Sequence, residues 1–315
     1  MTLPDVQQEK TGFPRMYIQK VGVENLKLPF PVYNKNGSIQ SVLARINSYC
    51  SLTPNIKGIN MSRIGCTVFN AVKEQSGAYT TLEPLARQLQ QAHGSSYVYI
   101  SADFDYPVCQ QTPVTHIDTI KIITAKLTCE MQDSTAHNYL TVQTTEMSLC
   151  PCSKEMSLLK NNLTPQELQA VQSLPAQLAQ KILQSGYGAH NQKSQITATV
   201  ELGGSTVLHI EDIYTILAAS ASACTYPILK RPDEKQVTEI AYNGGYWDND
   251  EFIKTTGGPR FVEDIARHAA QALHVLLDNQ IQDYIVSVKN FESIHSDNIV
   301  ATAQICADRN LQTHI

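Results

Sequence analysis

Polar and apolar residues alternate through Ser41 to Thr53, Arg63 to Lys73, Ser96 to Tyr106, Thr119 to Met131 and Tyr139 to Ser148, stretches rich in Val, Ile, Thr and Tyr. A period of two carried by β-branched and aromatic residues predicts strands. Between the second and third stretches, Leu82, Leu85, Leu89 and Ala92 recur at helical spacing, with Thr81 placed to cap them. The pattern then returns, with a strand from Gln195 to Leu202, helices from Glu211 to Ala221 and Phe261 to Asn279, and strands from Asp283 to Phe291 and Asn298 to Ala307. The chain therefore reads as α+β, a tandem duplication of one unit in which an antiparallel sheet carries its helices on one face. We place the boundary between residues 147 and 148, giving an N-terminal unit 1–147 and a C-terminal unit 148–315. Sheets of so few strands leave open edges, and closure into barrels across subunits is expected.

Two segments interrupt the second unit, at about 157–185 and 243–259. In the first, Leu163, Leu168, Val171, Leu174, Leu178 and Ile182 have loose helical spacing behind Thr164, Pro165 and Glu167, which predicts an inserted helical hairpin. The second is a run of Gly, Asp, Asn and Thr without a period, which predicts a surface loop.

Composition narrows the function classes. The 315 residues are 42% hydrophobic and 17% charged, as expected of a folded globular chain, and no apolar run reaches the length of a membrane span or a signal peptide. A cytoplasmic location is expected, where thiols stay reduced. Five of the eight cysteines, Cys50, Cys66, Cys129, Cys224 and Cys306, read as buried apolar residues, and the pair Cys150 and Cys152 stands apart. A net charge of −5 argues against a nucleic-acid or membrane surface. A nucleotide substrate needs only local cations, and Arg63, Lys154, Lys193, Lys230, Arg231 and Lys235 lie beside the motifs that follow.

Ser148-Leu149-Cys150-Pro151-Cys152-Ser153-Lys154-Glu155 ends a strand with two thiols and a nearby lysine. Both sulfurs could bind one soft metal, or one could bind metal while the other faces substrate. Further on come Gly188-Ala189-His190-Asn191-Gln192, Lys230-Arg231-Pro232-Asp233-Glu234-Lys235, Phe261-Val262-Glu263-Asp264 and Glu292-Ser293-Ile294-His295. Each alone reads as a solvated turn, a helix start or a strand edge. Their joint occurrence in one half of the chain points to a site.

In this order the motifs closely resemble the type IB GTP cyclohydrolases. The N-terminal half adds Leu3-Pro4-Asp5-Val6-Gln7, Val21-Gly22-Val23 and Gly58-Ile59-Asn60-Met61-Ser62-Arg63, with Asn60 standing where the family commonly has histidine. The resemblance implies two tandem tunnelling-fold units in each subunit of a homotetramer, with active sites between subunits. It implies conversion of GTP and water to 7,8-dihydroneopterin 3'-triphosphate and formate, the first step towards tetrahydrofolate, with queuosine as a second destination left open. Carried over residue by residue, it makes Cys150, His190 and Glu234 ligands of a divalent ion (zinc, manganese or ferrous iron) that leaves a fourth position to water. Cys152, Glu263 and His295 fall on catalytic positions beside Cys150, and Glu292 on the guanine anchor. Arg63, Lys193 and Lys154 are candidates to hold the triphosphate. Two alternatives share parts of this set: a tunnelling-fold nitrile reductase of queuosine synthesis, which would need a nicotinamide cofactor and no metal, and a non-catalytic purine- or metal-binding homologue.

Overall fold

The structure, a computed structural model, describes residues 7, 12–74, 79–203, 207–248, 251–277 and 279–307. Its centre is an antiparallel sheet of eight strands in the spatial order β1 (Ile18–Tyr33), β2 (Ile39–Leu52), β3 (Tyr97–Gln111), β4 (Asp118–Gln132), β5 (Thr135–Leu149), β6 (Asn191–Leu202), β9 (Ile281–Phe291), β10 (Val300–Cys306). A short hairpin of β7 (Gly245–Asp248) and β8 (Glu251–Lys254) stands apart from it. In the first half, α1 (Met61–Glu74) and α2 (Glu83–His93) connect β2 to β3. In the second, α6 (Ile210–Ser220), α7 (Arg231–Asn243), β7, β8 and α8 (Val262–His274) connect β6 to β9. The order strand, strand, helices, strand, strand thus occurs twice along the chain.

The residue 147/148 boundary falls near the C-terminal end of strand β5, inside the continuous sheet. A single apolar cluster runs beneath both halves, from Phe30 and Ile46 through Ile100 and Val142 to Ile213, Leu273 and Val288. The opposite face of the sheet carries no such cover at Ile39, Leu43, Ile120 and Ile122, all of which are exposed. Alternation along β2 and β4 produces this split, with Val42, Ala44 and Ile46 or Ile123 and Ala125 turned to the helices.

Several expectations require correction. Arg63 to Lys73 forms the body of α1, not a strand. Ile64, Cys66 and Val68 do alternate, but Ile64, Val68 and Ala71 also fall at helical spacing, and those three are the buried ones. Asn60 settles the outcome, because its Oδ1 accepts the Arg63 N–H at 3.0 Å and so caps the helix. Asn60→Ala should therefore cost about 1 kcal/mol of stability, checked as a lower urea midpoint with an unchanged slope. Thr81 does not cap α2, which has no side-chain cap. Cys66 is exposed on α1 and Cys224 and Cys306 are only half-buried, while Cys50 and Cys129 are buried as expected, and none of the eight cysteines is in a disulfide.

The inserted hairpin is present as α4 (Pro165–Gln172) and α5 (Ala176–Gln184), and Thr164 with Glu167 forms a capping box at its start. The second interruption is not wholly irregular, since β7 and β8 pair within it, Trp247 opposite Phe252. The sequence reading also passes over β1, the short helix Pro151–Ser157 and α7. In β1, bulges at Ile18/Val21 and Val23/Leu26 break the alternation, and Pro29 and Pro31 are tolerated because this strand lies at the sheet edge. In α7, only Val237, Ala241 and Asp233 are buried, too few to write a periodic stripe. Among the described residues no helix is long and apolar enough to cross a membrane.

Candidate functional site

The strand ends that carry the chemical motifs lie at one end of the sheet. β5 runs into Cys150, which is the N-cap of α3 (Pro151–Ser157). Its thiol accepts the Ser153 N–H at 3.4 Å. The Cys150 N–H donates to the His190 carbonyl at 3.2 Å, and the His190 N–H to the Ser153 hydroxyl at 3.4 Å. The two motifs, 40 positions apart in the sequence, are thus locked together across the start of the β5–β6 pair.

The insertion between them leaves this lock intact because its ends are pinned. Leu158 and Gly186 form an antiparallel bridge, and the Leu159 N–H donates to the Ser185 carbonyl at 2.9 Å. Gly186 permits the close approach, since a Cβ there would lie 2.6 Å from the Ser157 carbonyl and from the Tyr242 hydroxyl. The two insertions also meet, Lys181 of α5 lying over the Trp247 ring at 4.4 Å, beside a cavity of about 460 Å³ that Tyr242 and Asn243 complete.

His190 immediately precedes β6, and Gln192 is the second residue of that strand. The neighbouring register pairs Ser194 with Asn290, so Gln192 lies opposite the end of β9 and Glu292. His190 Nδ1 lies 3.0 Å from Gln192 Oε1, and Gln192 Nε2 donates to Glu292 Oε1 at 3.5 Å. Beneath them the sheet is polar rather than apolar. Asn290 donates to the Ser148 hydroxyl at 3.0 Å, while Asn290 Oδ1 and Ser194 Oγ are buried without a partner. Buried polar atoms without partners are uncommon in a core and mark a place for a polar ligand or water.

Glu263 opens α8 and is exposed. The start of that helix is fixed to the same end of the sheet, because the Arg260 N–H donates to the Leu149 carbonyl at 3.0 Å and the Ser148 hydroxyl to the Arg260 carbonyl at 3.1 Å. The Arg260 guanidinium is buried against the carbonyls of Ala219 and Ala221, and that burial pushes its pKa down. His295 is exposed in the β9–β10 connection, which the Glu292 N–H closes onto the Ile299 carbonyl at 3.0 Å.

Glu234 is exposed on the first turn of α7. Its neighbour Asp233, passed over in the sequence, is fully buried and accepts from the Thr115 hydroxyl at 2.6 Å and from the N–H groups of Val114, Thr115 and Lys230 at 2.9, 2.9 and 3.1 Å. Burial alone would raise this carboxyl, but the four donors outweigh it and hold the group below its ordinary range. A depressed folded pKa adds stability that is present above the unfolded value of 3.8 and is lost as the pH falls. Acidification below that value should destabilise the native protein more steeply than Asp233→Asn, as read from urea midpoints across pH.

Cys152 is exposed on α3, and Lys154 is half-buried over the Tyr242 ring at 4.9 Å, its pKa lowered by that burial. Lys193 is exposed, alternating with the buried Gln192 and Ser194 and so on the other face of β6. Arg63 lies on α1 and donates to the Ala92 carbonyl at 3.4 Å. Within one chain, then, Cys150, His190, Gln192, Glu292 and the start of α8 come together. Among the described residues, no three His, Cys, Asp or Glu side chains stand close enough to hold a metal ion as placed.

Comparison with known proteins places this arrangement in context. Residues 3–301 match the model of the family described as type I GTP cyclohydrolase folE2. The chain is 31% identical over 300 residues to GTP cyclohydrolase FolE2 of Azoarcus sp. (strain BH72), covering 95% of this chain and 93% of that protein. It is 32% identical over 307 residues to GTP cyclohydrolase FolE2 of Geobacter metallireducens, covering 96% and 97%. Among solved structures, uricase from Arthrobacter globiformis superposes with a TM-score of 0.50 at 9% identity over 94% of this chain and 97% of that one, a likeness of fold alone.

Proposed function

The chain belongs to the type I GTP cyclohydrolase FolE2 family, and on that premise we propose how its residues open the guanine ring of GTP to yield 7,8-dihydroneopterin 3'-triphosphate and formate. The observation that carries this reading is the locking of Cys150 and His190 at the same sheet end as Gln192 and Glu292.

Glu292 binds the purine. One carboxylate can accept from both N1–H and the 2-amino group of guanine, whereas adenine offers no such pair of donors. A half-buried carboxylate left unpaired would then reject ATP. The polar floor beneath it, with Asn290 Oδ1 and Ser194 Oγ unsatisfied, suits a heterocycle rich in donors.

Brought together, Cys150, His190 and Glu234 would make a donor set suited to zinc, manganese or ferrous iron. The fit is supported by His190, whose Nδ1 is engaged by Gln192 and whose Nε2 is left to donate its lone pair, and by Cys150, whose thiol accepts a backbone N–H. Held there, a divalent ion would supply an acidified water for addition at guanine C8. Glu263 and His295 would give and take protons at the departing imidazole nitrogen and during closure of the new ring. Cys152 faces the substrate, and Lys154, Lys193 and Arg63 hold the triphosphate.

A homotetramer with sites between subunits accounts for the exposure of Glu263, His295, Lys193 and Arg63 in a single chain. It would also cover Ile39, Leu43, Ile120 and Ile122 inside a barrel and pair the sheet edges β1 and β10. The direct test is incubation with GTP and zinc or manganese, with assay of formate and of a pteridine fluorophore after oxidation. Both should form together. Formation of neither with any divalent ion would overturn the reading.

A further inference from the structure

We infer that Gln192 is a positioning residue that ties the purine anchor to the metal ligand, so that occupation of either site strengthens the other. This rests on the roles proposed above for Glu292 and His190, and it assigns to a residue between them a role that neither motif carries.

The argument runs from the carboxylate outwards. A side-chain amide has one accepting and one donating end, and its two orientations are decided by its neighbours. Glu292 is acceptor-only, so the Gln192 amino group must face it, as the 3.5 Å contact from Nε2 to Glu292 Oε1 has it. The reversed amide would set a carbonyl oxygen against a carboxylate. With the amino end so fixed, the carbonyl end faces His190, and the 3.0 Å contact to Nδ1 requires that nitrogen to carry the proton. The neutral imidazole then has its lone pair on Nε2, the form a metal needs.

The elements make the chain of contacts rigid. His190 immediately precedes β6, Gln192 is the second residue of that strand, and Glu292 follows the β9 strand paired with it. Gln192 is only 7% exposed, so water does not compete freely for its amide. All three residues belong to one chain. Guanine at Glu292 would draw that carboxylate into a fixed geometry, hold the amide, and hold the imidazole. By linkage, metal at His190 must favour purine binding by the same factor.

The test measures zinc affinity by competition with a chromogenic chelator, with and without 7-deazaguanosine. That nucleoside keeps the N1–H and 2-amino edge, has no imidazole ring to open, and lacks phosphates that would bind zinc themselves. In the wild type it should tighten zinc binding by about fivefold or more. Gln192→Leu should weaken zinc binding about 10- to 100-fold and abolish the effect of the nucleoside. Gln192→Glu keeps an acceptor for Nδ1–H, so zinc affinity should stay near wild type while nucleoside affinity falls, because a second carboxylate then faces Glu292. This split distinguishes positioning from packing, and Gln192→Glu carries the test alone if the leucine variant does not fold. Wild-type zinc affinity in Gln192→Leu, or equal weakening in both variants, would overturn the inference and leave the proposed reaction standing. Full zinc retention by His190→Ala would instead overturn the ligand assignment beneath it.

Discussion

Cys150→Ala should lose bound metal and GTP ring opening together, with turnover falling by about three orders of magnitude or more. A metal that activates water contributes several kcal/mol of transition-state stabilisation, and each 1.36 kcal/mol is about tenfold in rate. The structure also gives Cys150 a local task, since its thiol accepts the Ser153 N–H at the start of α3. Cys150→Ser separates the two roles. A serine hydroxyl is a better helix cap than a thiol, so this variant should melt no lower than the metal-free wild type. It is a poor ligand for a soft ion, so it should be as metal-poor and inactive as the alanine variant. Cys152→Ala should differ from both, retaining metal while turnover falls, because Cys152 is exposed and stands outside the lock that joins Cys150 to Ser153 and His190. Metal content by atomic absorption beside formate release measures all three. An active Cys150→Ser enzyme with full metal content would remove Cys150 from the ligand set.

How much of this was legible in the sequence depended on whether a signal was local. β2 to β6, β9 and β10 were readable because in each of them more covered and more exposed positions alternate, fully buried ones in β2 to β6 and β9 and half-buried ones in β10, and that alternation is written into the chain. The same rule misread α1, where Ile64, Cys66 and Val68 satisfy a period of two and Asn60, four residues before Ile64, tips the backbone into a helix. It missed α7 because that helix is held by Asp233 reaching Thr115, a contact 118 positions distant that no window includes. The candidate site divides in the same way. Cys150, His190 and Glu292 sit in recognisable motifs, but Gln192 gains its meaning only from the register of β6 against β9. The Leu158–Gly186 bridge, which lets a hairpin be inserted between Cys150 and His190 without separating them, is likewise invisible before the fold is known.

Lys121→Met should be the most destabilising single change outside the motifs, costing about 3–5 kcal/mol of a total stability of about 5–15 kcal/mol. β4 and β5 pair only between Thr124–Gln132 and Thr135–Gln143. Beyond Gln143 the strands part, and the segment around Ala223 takes the place of β4, with the Met147 N–H donating to the Ala223 carbonyl at 3.1 Å and the Ser222 N–H to the Met147 carbonyl at 2.9 Å. Lys121 fills the fork. Its ammonium pairs with the fully buried Glu146 carboxylate and reaches the Thr145 carbonyl at 3.1 Å and the Thr225 hydroxyl at 3.0 Å. Glu146 also accepts from the Thr144 hydroxyl at 2.6 Å and the Thr225 N–H at 2.7 Å. Removing the lysine leaves a buried anion without its cation, which is what makes the single change costly. Lys121→Met with Glu146→Leu should recover part of the loss and not all of it, because the Thr225 N–H then lacks an acceptor, at about 1–3 kcal/mol. Because α7 follows directly from the segment that enters the fork, and Cys150 ends the strand that forms its other side, the single variant should also bind metal more weakly where it still folds. Urea unfolding and metal titration of the two variants measure both effects, and a Lys121→Met protein as stable as the wild type would show that the fork is held by its backbone pairing alone.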